Sequence, residues 1–412
     1  MGRRDSALAD SVFSTVGVLA QGLSRFAYTA IVGRLLGASD LAAVNTAFSV
    51  AILLSLTWPT AAGNAAGAFA RSDDGAGSRL LLRSFSFSLV PIVIVAASVA
   101  VALGAGWPAV VQAVLLTATW SIYIFGRGIF IGGGRVRAAA VWDVATGLLA
   151  ILLLLVVIGC GWHSWLLAPA IVGYAVFGIA ALTSREWAGR PAEGVSRRFA
   201  TFIFWNSLSL IATNGLMQVS MIVAAGFSSS QEAGQFAAAL SLATPVSMVA
   251  QAVTQALLPR FSQWSELDAA SRLSNVRRAT VALAVVMAAG CLLVVVVLPW
   301  ALPLVYGAAF APAVALAQGL MAAVFGFSLS VFLAAYLATI GRARTATVCA
   351  AIGSSAGLIT MLFAANGLGG SVGAVVGTVV GMTLSVVLLA AASLRAPAPS
   401  ATPGAKSSRA RR

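Results

Sequence analysis

Arg25 stands near the middle of an apolar run, AQGLSRFAYTAIVGRLLG (residues 20–37), with no carboxylate beside it on that stretch. A guanidinium in such a place is an anion-binding group: it keeps its charge and offers a planar fork of donors that fits phosphate or carboxylate. Ser14, Gln21 and Tyr28 share its helical face, within about 60° at the α-helical period. The design recurs in other apolar stretches. Gln112, Thr119, Tyr123 and Arg127 share about 80°, and Thr244, Gln251 and Gln255 share about 40°. Asn45, Ser49, Thr57, Thr60 and Asn64 add a wider arc, and Asn206, Asn214 and Gln218 mark a fifth stretch. Stripes of amides and hydroxyls can solvate a polyhydroxylated ligand while an arginine meets its anion. The plain alternative is hydrogen-bonding glue between membrane helices. It explains any one residue as well as ligand binding does, and five stripes less well. A mid-membrane arginine costs about 2.5–3.5 kcal/mol on insertion scales, so Arg25 is read as a charge awaiting the phosphate of a ligand. Asp143 is different: Arg127 lies across a tight hairpin from it, and the two are expected to form a structural ion pair.

Composition dictates the elements that hold these residues. Of 412 residues, 60% are hydrophobic and 9% charged, and the mean hydropathy is +0.97. A soluble domain carries about 25% charge, so the chain reads as an all-α integral membrane protein. Long apolar runs without a two-residue alternation, each near the length a bilayer requires, predict twelve spans. They lie at 9–32, 41–66, 84–104, 108–131, 138–159, 164–183, 199–225, 233–258, 279–300, 311–339, 345–365 and 370–393. Residues 394–412 read as a disordered basic tail. Cys160, Cys291 and Cys349 form no metal or disulfide pattern, and His163 sits in a short turn, GCGWHSW, as an ordinary interfacial residue. GGGRVR (132–137) lacks the lysine and Ser/Thr of a P-loop. No metal and no cofactor is expected. MGRRDS shows no cleavable signal, and its match to the short myristoylation pattern is discounted in a polytopic chain.

Charge placement orients the spans. With both termini and every even-numbered connection on one side, that side holds 23 of the 25 Lys and Arg; Arg34 lies opposite and Arg25 inside. By the positive-inside rule both termini are cytoplasmic. The net charge of +14 is therefore a cytoplasmic rim touching anionic lipid, and no nucleic-acid partner is expected. A shift of 192 residues lays DLAAVNTAFSV (40–50) on EAGQFAAALSL (232–242) and spans 1–2 on spans 7–8. Two parallel six-helix repeats follow: an N-terminal lobe at 1–190, a linker at 191–198 and a C-terminal lobe at 199–393, with a binding site expected between the lobes. The four glycines at 369, 373, 377 and 381 read as close helix packing.

Three segments carry a family resemblance: IVGRLLGASDLAAVNTAFSV (31–50), AAGFSSSQEAGQFAAALSLATPVSMVAQAVTQALLPRFSQ (224–263), and LVYGAAFAPAVALAQGLMAAVFGFSLSVFLAAYLATIGRAR (304–344) with NGLGGSVGAVVGTVV (366–380). In order and spacing the chain resembles the Wzx-type polysaccharide flippases. These belong to the MATE/oligosaccharidyl-lipid/polysaccharide exporter (MOP) superfamily, which also holds MATE drug exporters and lipid II flippases. The resemblance implies two bundles around a central V-shaped cavity. It also implies alternating access that moves a polyprenyl-(pyro)phosphate-linked saccharide to the outer leaflet of a bacterial cytoplasmic membrane. Gln218 stands where many relatives carry an aspartate. The expected partners are that glycolipid, membrane lipids and glycan polymerase or ligase machinery, with the chain itself a monomer. The substrate-binding set is Arg25, Gln21, Tyr28, Asn64, Gln112, Tyr123, Asn214, Gln218, Gln251 and Gln255. A MATE-like cation antiporter ranks lower because spans 1, 2, 7 and 8 lack a mid-membrane carboxylate. A lipid II flippase remains open, and a glycan polymerase or ligase has only Asp40, His163 and Glu232 in its outer loops. Drive by membrane potential, by an ion site or by the substrate gradient is left open, as is the saccharide.

Overall fold

The computed structural model describes residues 2–69, 76–184, 195–265 and 267–395. The first half holds α1 (Gly2–Leu36), α2 (Ala38–Ser55), α3 (Pro59–Phe69), α4 (Ala76–Ala102), α5 (Trp107–Gly132), α6 (Val136–Gly159) and α7 (Ala168–Thr183). The second holds α8 (Val195–Leu210), α9 (Leu216–Phe227), α10 (Ser230–Ser265), α11 (Ala269–Tyr306), α12 (Ala313–Thr339), α13 (Ala343–Leu368) and α14 (Gly370–Leu394). No strand occurs among the described residues. The twelve expected passes are present, and the architecture is the expected pair of six-pass repeats. The expected tail beyond Arg395 and linker residues 191–194 lie outside the described residues, while 195–198 open α8 rather than belonging to a linker.

Two passes are broken, each for a local reason. Pass 2 stops at Ser55 and resumes at Pro59, because proline has no N–H and its ring clashes with the carbonyl four residues back. Thr57 N recovers a bond to Leu54 O at 3.2 Å, and Trp120 Nε1 donates to the Ser55 hydroxyl at 3.1 Å, bracing the break from α5. Pass 7 carries a π-helical turn at Ile211–Gly215. Several glycines make the tight corners, for instance Gly37 (φ 95°) between α1 and α2, and Gly369 (φ 88°) before α14.

α12 is the axis of the second half, with Leu320, Val324, Phe332 and Leu337 wholly unexposed. α11 lies at the lipid edge, showing Val285, Leu292, Leu293 and Trp300. The expected glycine stripe of α14 packs against α13: a Cβ on Gly373 would fall 2.4 Å from Ala365 N, and one on Gly377 would fall 2.6 Å from Gly357 O. Gly369 is the corner before that stripe, not part of it.

The two halves meet closely at the end where α2 and α10 begin. α2 and α10 both start at that end and run away from it. A Cβ on Gly234 would fall 2.0 Å from Ala38 O, and Ser241 Oγ donates to Asn45 Oδ1 at 3.3 Å. Arg34 Nη1 reaches Pro303 O at 3.4 Å, and Gly33 accepts the ring of Tyr306, which a Cβ would meet at 2.6 Å. Farther along, the α2–α10 contact gives out, while α3 meets α8 through Asn64 and Asn206. α10 is buried through Ala237, Ala238, Ala239 and Ala243, whereas Gln255 and Arg260 are exposed.

The glycine stripe yields a direct expectation. Gly377→Val lowers stability by about 1–3 kcal/mol through overpacking, whereas Gly367→Ala, which has open space around it, leaves it unchanged. Thermal unfolding of the two purified variants beside wild type checks this.

Candidate functional site

α1 has two polar-tolerant faces, and they look in different directions. Gly17, Gln21, Ser24, Arg25 and Tyr28 point into the N-terminal lobe, toward α6 and α7. Gly22, against Met248, and Gly33, against Tyr306, point to the C-terminal lobe. Glycine is needed on the first face as well. A Cβ at Gly17 would fall 2.7 Å from Asp143 Oδ2, and one at Gly147 would fall 2.8 Å from Ser24 Cβ.

The expected ion pair forms. Arg127 Nε donates to Asp143 Oδ2 at 3.1 Å, and Tyr123 OH donates to Oδ1 at 2.6 Å. The Asp143 side chain has no exposure and Arg127 keeps 16%. Both carboxylate oxygens are thus engaged. Around them stands an aromatic wall, with Tyr123 at 5.1 Å and Trp120 at 4.9 Å from Tyr174, ring centre to ring centre. Arg25 lies over the Phe48 ring at 5.3 Å and has no carboxylate partner among the described residues. Tyr28 OH donates to Leu166 O. The free space among these groups is about 20 Å³, room for one water.

Gln21, Arg25, Tyr28 and Tyr123 therefore converge as the sequence suggested, but inside one lobe. They do not stand on the wall between the lobes, and the space beside them is far too small for a pyrophosphate. The remaining predicted residues scatter. Asn64 Nδ2 donates to Asn206 Oδ1 at 2.9 Å, joining α3 to α8 across the seam. Asn214 bonds Thr213 Oγ1 at 2.8 Å within the π-turn. Gln218 is half-buried, its Oε1 without a partner among the described residues. Gln251 is half-buried and Gln255 exposed on the second half of α10. Gln112, near the start of α5, pins the turn before α7: Nε2 donates to Ser164 O at 2.6 Å, and Oε1 accepts from Leu167 N at 3.2 Å.

Many stripe hydroxyls bond their own helix. Thr119 donates to Leu115 O at 2.8 Å, Thr244 to Leu240 O at 3.0 Å, and Thr57 to Leu54 O at 2.6 Å. Such back-bonding satisfies a hydroxyl without a ligand. Ser14 lies among residues whose side chains are not described. Tyr174 and Phe48, which flank Arg25, were missed because ordinary aromatic residues in apolar spans carry no spacing signal.

The cluster predicts its own energetics. Asp143→Asn leaves two guanidiniums in one lobe and destabilises by about 3–5 kcal/mol. Adding Arg127→Gln recovers a large part of that loss, and thermal melts of the single and double variants read the coupling.

No protein-family model matches the chain, and no curated protein sequence does. Solved structures do. A multidrug resistance MATE family transporter of the MOP superfamily, in its inward-facing conformation, superposes with a TM-score of 0.68 at 15% identity, covering 92% of this chain and 94% of that one. The lipid II flippase MurJ, inward closed, gives 0.72 at 12% identity over 92% and 86%. The eukaryotic MATE transporter AtDTX14 gives 0.64 at 17% identity over 95% and 96%. Likeness at such identities establishes the fold: this chain is built as the MOP-superfamily transporters are.

Proposed function

We propose that this chain is a flippase that carries a polyprenyl-(pyro)phosphate-linked saccharide from the inner to the outer leaflet by alternating access. The observation that carries the reading is the inventory of the seam. Past Asp5 and Asp10 in the first turns of α1, Asp40 at the start of α2 and Glu232 at the start of α10, the helices that meet there (α1, α2, α3, α8, α9 and α10) hold no carboxylate among their described residues. They hold neutral amides, Asn64, Asn206, Gln251 and Gln255, with Arg260 exposed toward the cytoplasmic end. A cationic drug would find no counter-charge there and would be repelled by the arginines. Saccharide hydroxyls can bond the amides, the anionic headgroup suits the arginines, and the apolar carrier chain stays in lipid at the edge of the seam.

Close packing where α2 and α10 begin, with Gln255 and Arg260 exposed toward the far end of α10, fits a carrier that loads from the side the charge pattern marks as cytoplasmic. Breaking the α2–α10 contact would open the other face. The fold's drug-exporting relatives make a cation antiporter the second reading, against which the lack of a carboxylate in the middle of the seam counts. A glycan polymerase or ligase is less well supported, because Glu232 is already used as a helix cap: its Oε2 accepts from Ser229 N at 3.1 Å, and Ser229 Oγ accepts from Glu232 N at 3.3 Å.

The test is reconstitution. Proteoliposomes with wild-type protein are expected to deplete inner-leaflet polyprenyl-pyrophosphate oligosaccharide and to leave a cationic dye unmoved; the reverse result sinks the proposal. Arg25→Ala is expected to cost about 2 kcal/mol of stability, the size of a desolvated cation–π contact, and to cut flipping at least tenfold by removing positive potential near the cargo. Loss of folded protein instead would make Arg25 a structural residue.

A further inference from the structure

A second cavity, of about 430 Å³, lies at the outer end, where the two lobes close on each other. Its walls are mostly Ala, Val and Leu. α2 and α5 form one side, and Ala225 of α9 and Ala233 of α10 form the other. Four polar side chains matter. Gln112 is spent on Ser164 and Leu167. His163, the chain's single histidine, is exposed at the rim. Thr46 lines the cavity, and its Oγ1 is buried with no hydrogen-bond partner. Asp40 contributes a half-buried carboxylate. It makes no ion pair among the described residues, and no side chain caps the start of α2.

A pocket of this size, apolar with a few placed polar groups, has the form of a small-molecule site. An unpaired carboxylate at its edge selects a cation. We infer that this cavity binds a small organic cation with an apolar body, held by Asp40, and that its occupancy keeps the outer ends of the lobes together. The second half of that inference rests on the transport cycle proposed above. The walls come from both lobes, so the complete cavity exists only while the outer side is closed. A ligand that binds only that state shifts the population toward it by its differential affinity. The site is separate from the Arg25 cluster and faces the other side of the membrane from the amides of the seam.

The test uses two rigid probes that differ in one group: 1-adamantanamine, an ammonium at neutral pH, and 1-adamantanol. Both are titrated into the purified full-length chain while hydrogen exchange is followed over residues 37–47 and 228–236. The amine is expected to slow exchange saturably in both segments, with the alcohol weaker by about tenfold or more, as loss of a charged hydrogen bond implies. Asp40→Asn should reduce the amine to the level of the alcohol, and Ala113→Phe, which fills the cavity, should remove both responses. In proteoliposomes the amine should inhibit wild type and spare Asp40→Asn, whose basal flipping is unchanged.

Equal responses to amine and alcohol would reveal a lipid-like slot and overturn the inference. Protection that survives Asp40→Asn, or no protection at all, would overturn it too. If Ala113→Phe fails to fold, the Asp40→Asn titration still decides. Should wild type flip no glycolipid, the proposed function falls, while the exchange data judge the site by themselves.

Discussion

The contact on which this architecture turns is main chain against main chain. Where α2 and α10 begin, Gly234 lies on the carbonyl of Ala38, an approach that no residue with a Cβ could share. α2 and α10 run in the same direction, and the bond between Asn45 and Ser241 spans 196 residues of sequence, the same offset as Ala38 to Gly234. Few directional bonds hold this closure. Asn45 also bonds Leu41 O within its own helix at 3.2 Å, so separating the lobes would strand little. A seal made chiefly of close-packed small residues is tight when closed and cheap to open, because small residues supply contact rather than obligatory hydrogen bonds.

From that seal follows the division of labour on α1. One face supplies small residues to the seam, and the other supplies polar ones to the interior of its own lobe. Glycine appears on both, for the same reason of close approach. The interior face brings α1 to within reach of Asp143, and the aspartate in turn satisfies Arg127 and Tyr123 together. A carboxylate with both oxygens engaged is a fixed point, around which Trp120, Tyr174 and Phe177 pack edge to face. The lobe thus behaves as one packed unit, built around a charge that could not be left alone in an apolar medium.

Much of the fold was legible because lipid leaves a chain little choice: each pass must satisfy its own backbone, and hydropathy marks it. The Arg127–Asp143 pair was legible too, since a tight hairpin puts those two side chains at one depth. The direction of the polar stripes was not. Periodicity shows that Gln21, Arg25 and Tyr28 share a face; it does not show what that face meets. The informative signal was the small residues, Gly22 and Gly33, on the other side of the same helix. The break at Pro59 could have been read from proline chemistry, whereas the π-turn at Ile211–Gly215 leaves no such mark. Gln112 shows the same limit, because an amide that pins a loop and an amide that binds a sugar look alike in sequence.

The uneven charge count of the N-terminal lobe has an electrical consequence. Two guanidiniums and one carboxylate give the lobe interior a net positive charge, set within the field of an energised membrane. One elementary charge carried across the whole bilayer exchanges about 2.3 kcal/mol per 100 mV. A charge that only rocks with its lobe crosses a small part of that drop, and about a tenth of it amounts to roughly 0.2 kcal/mol. Voltage is therefore a weak lever on Arg25 itself. It becomes a strong one on any anion that travels the full distance, outward from a negative interior.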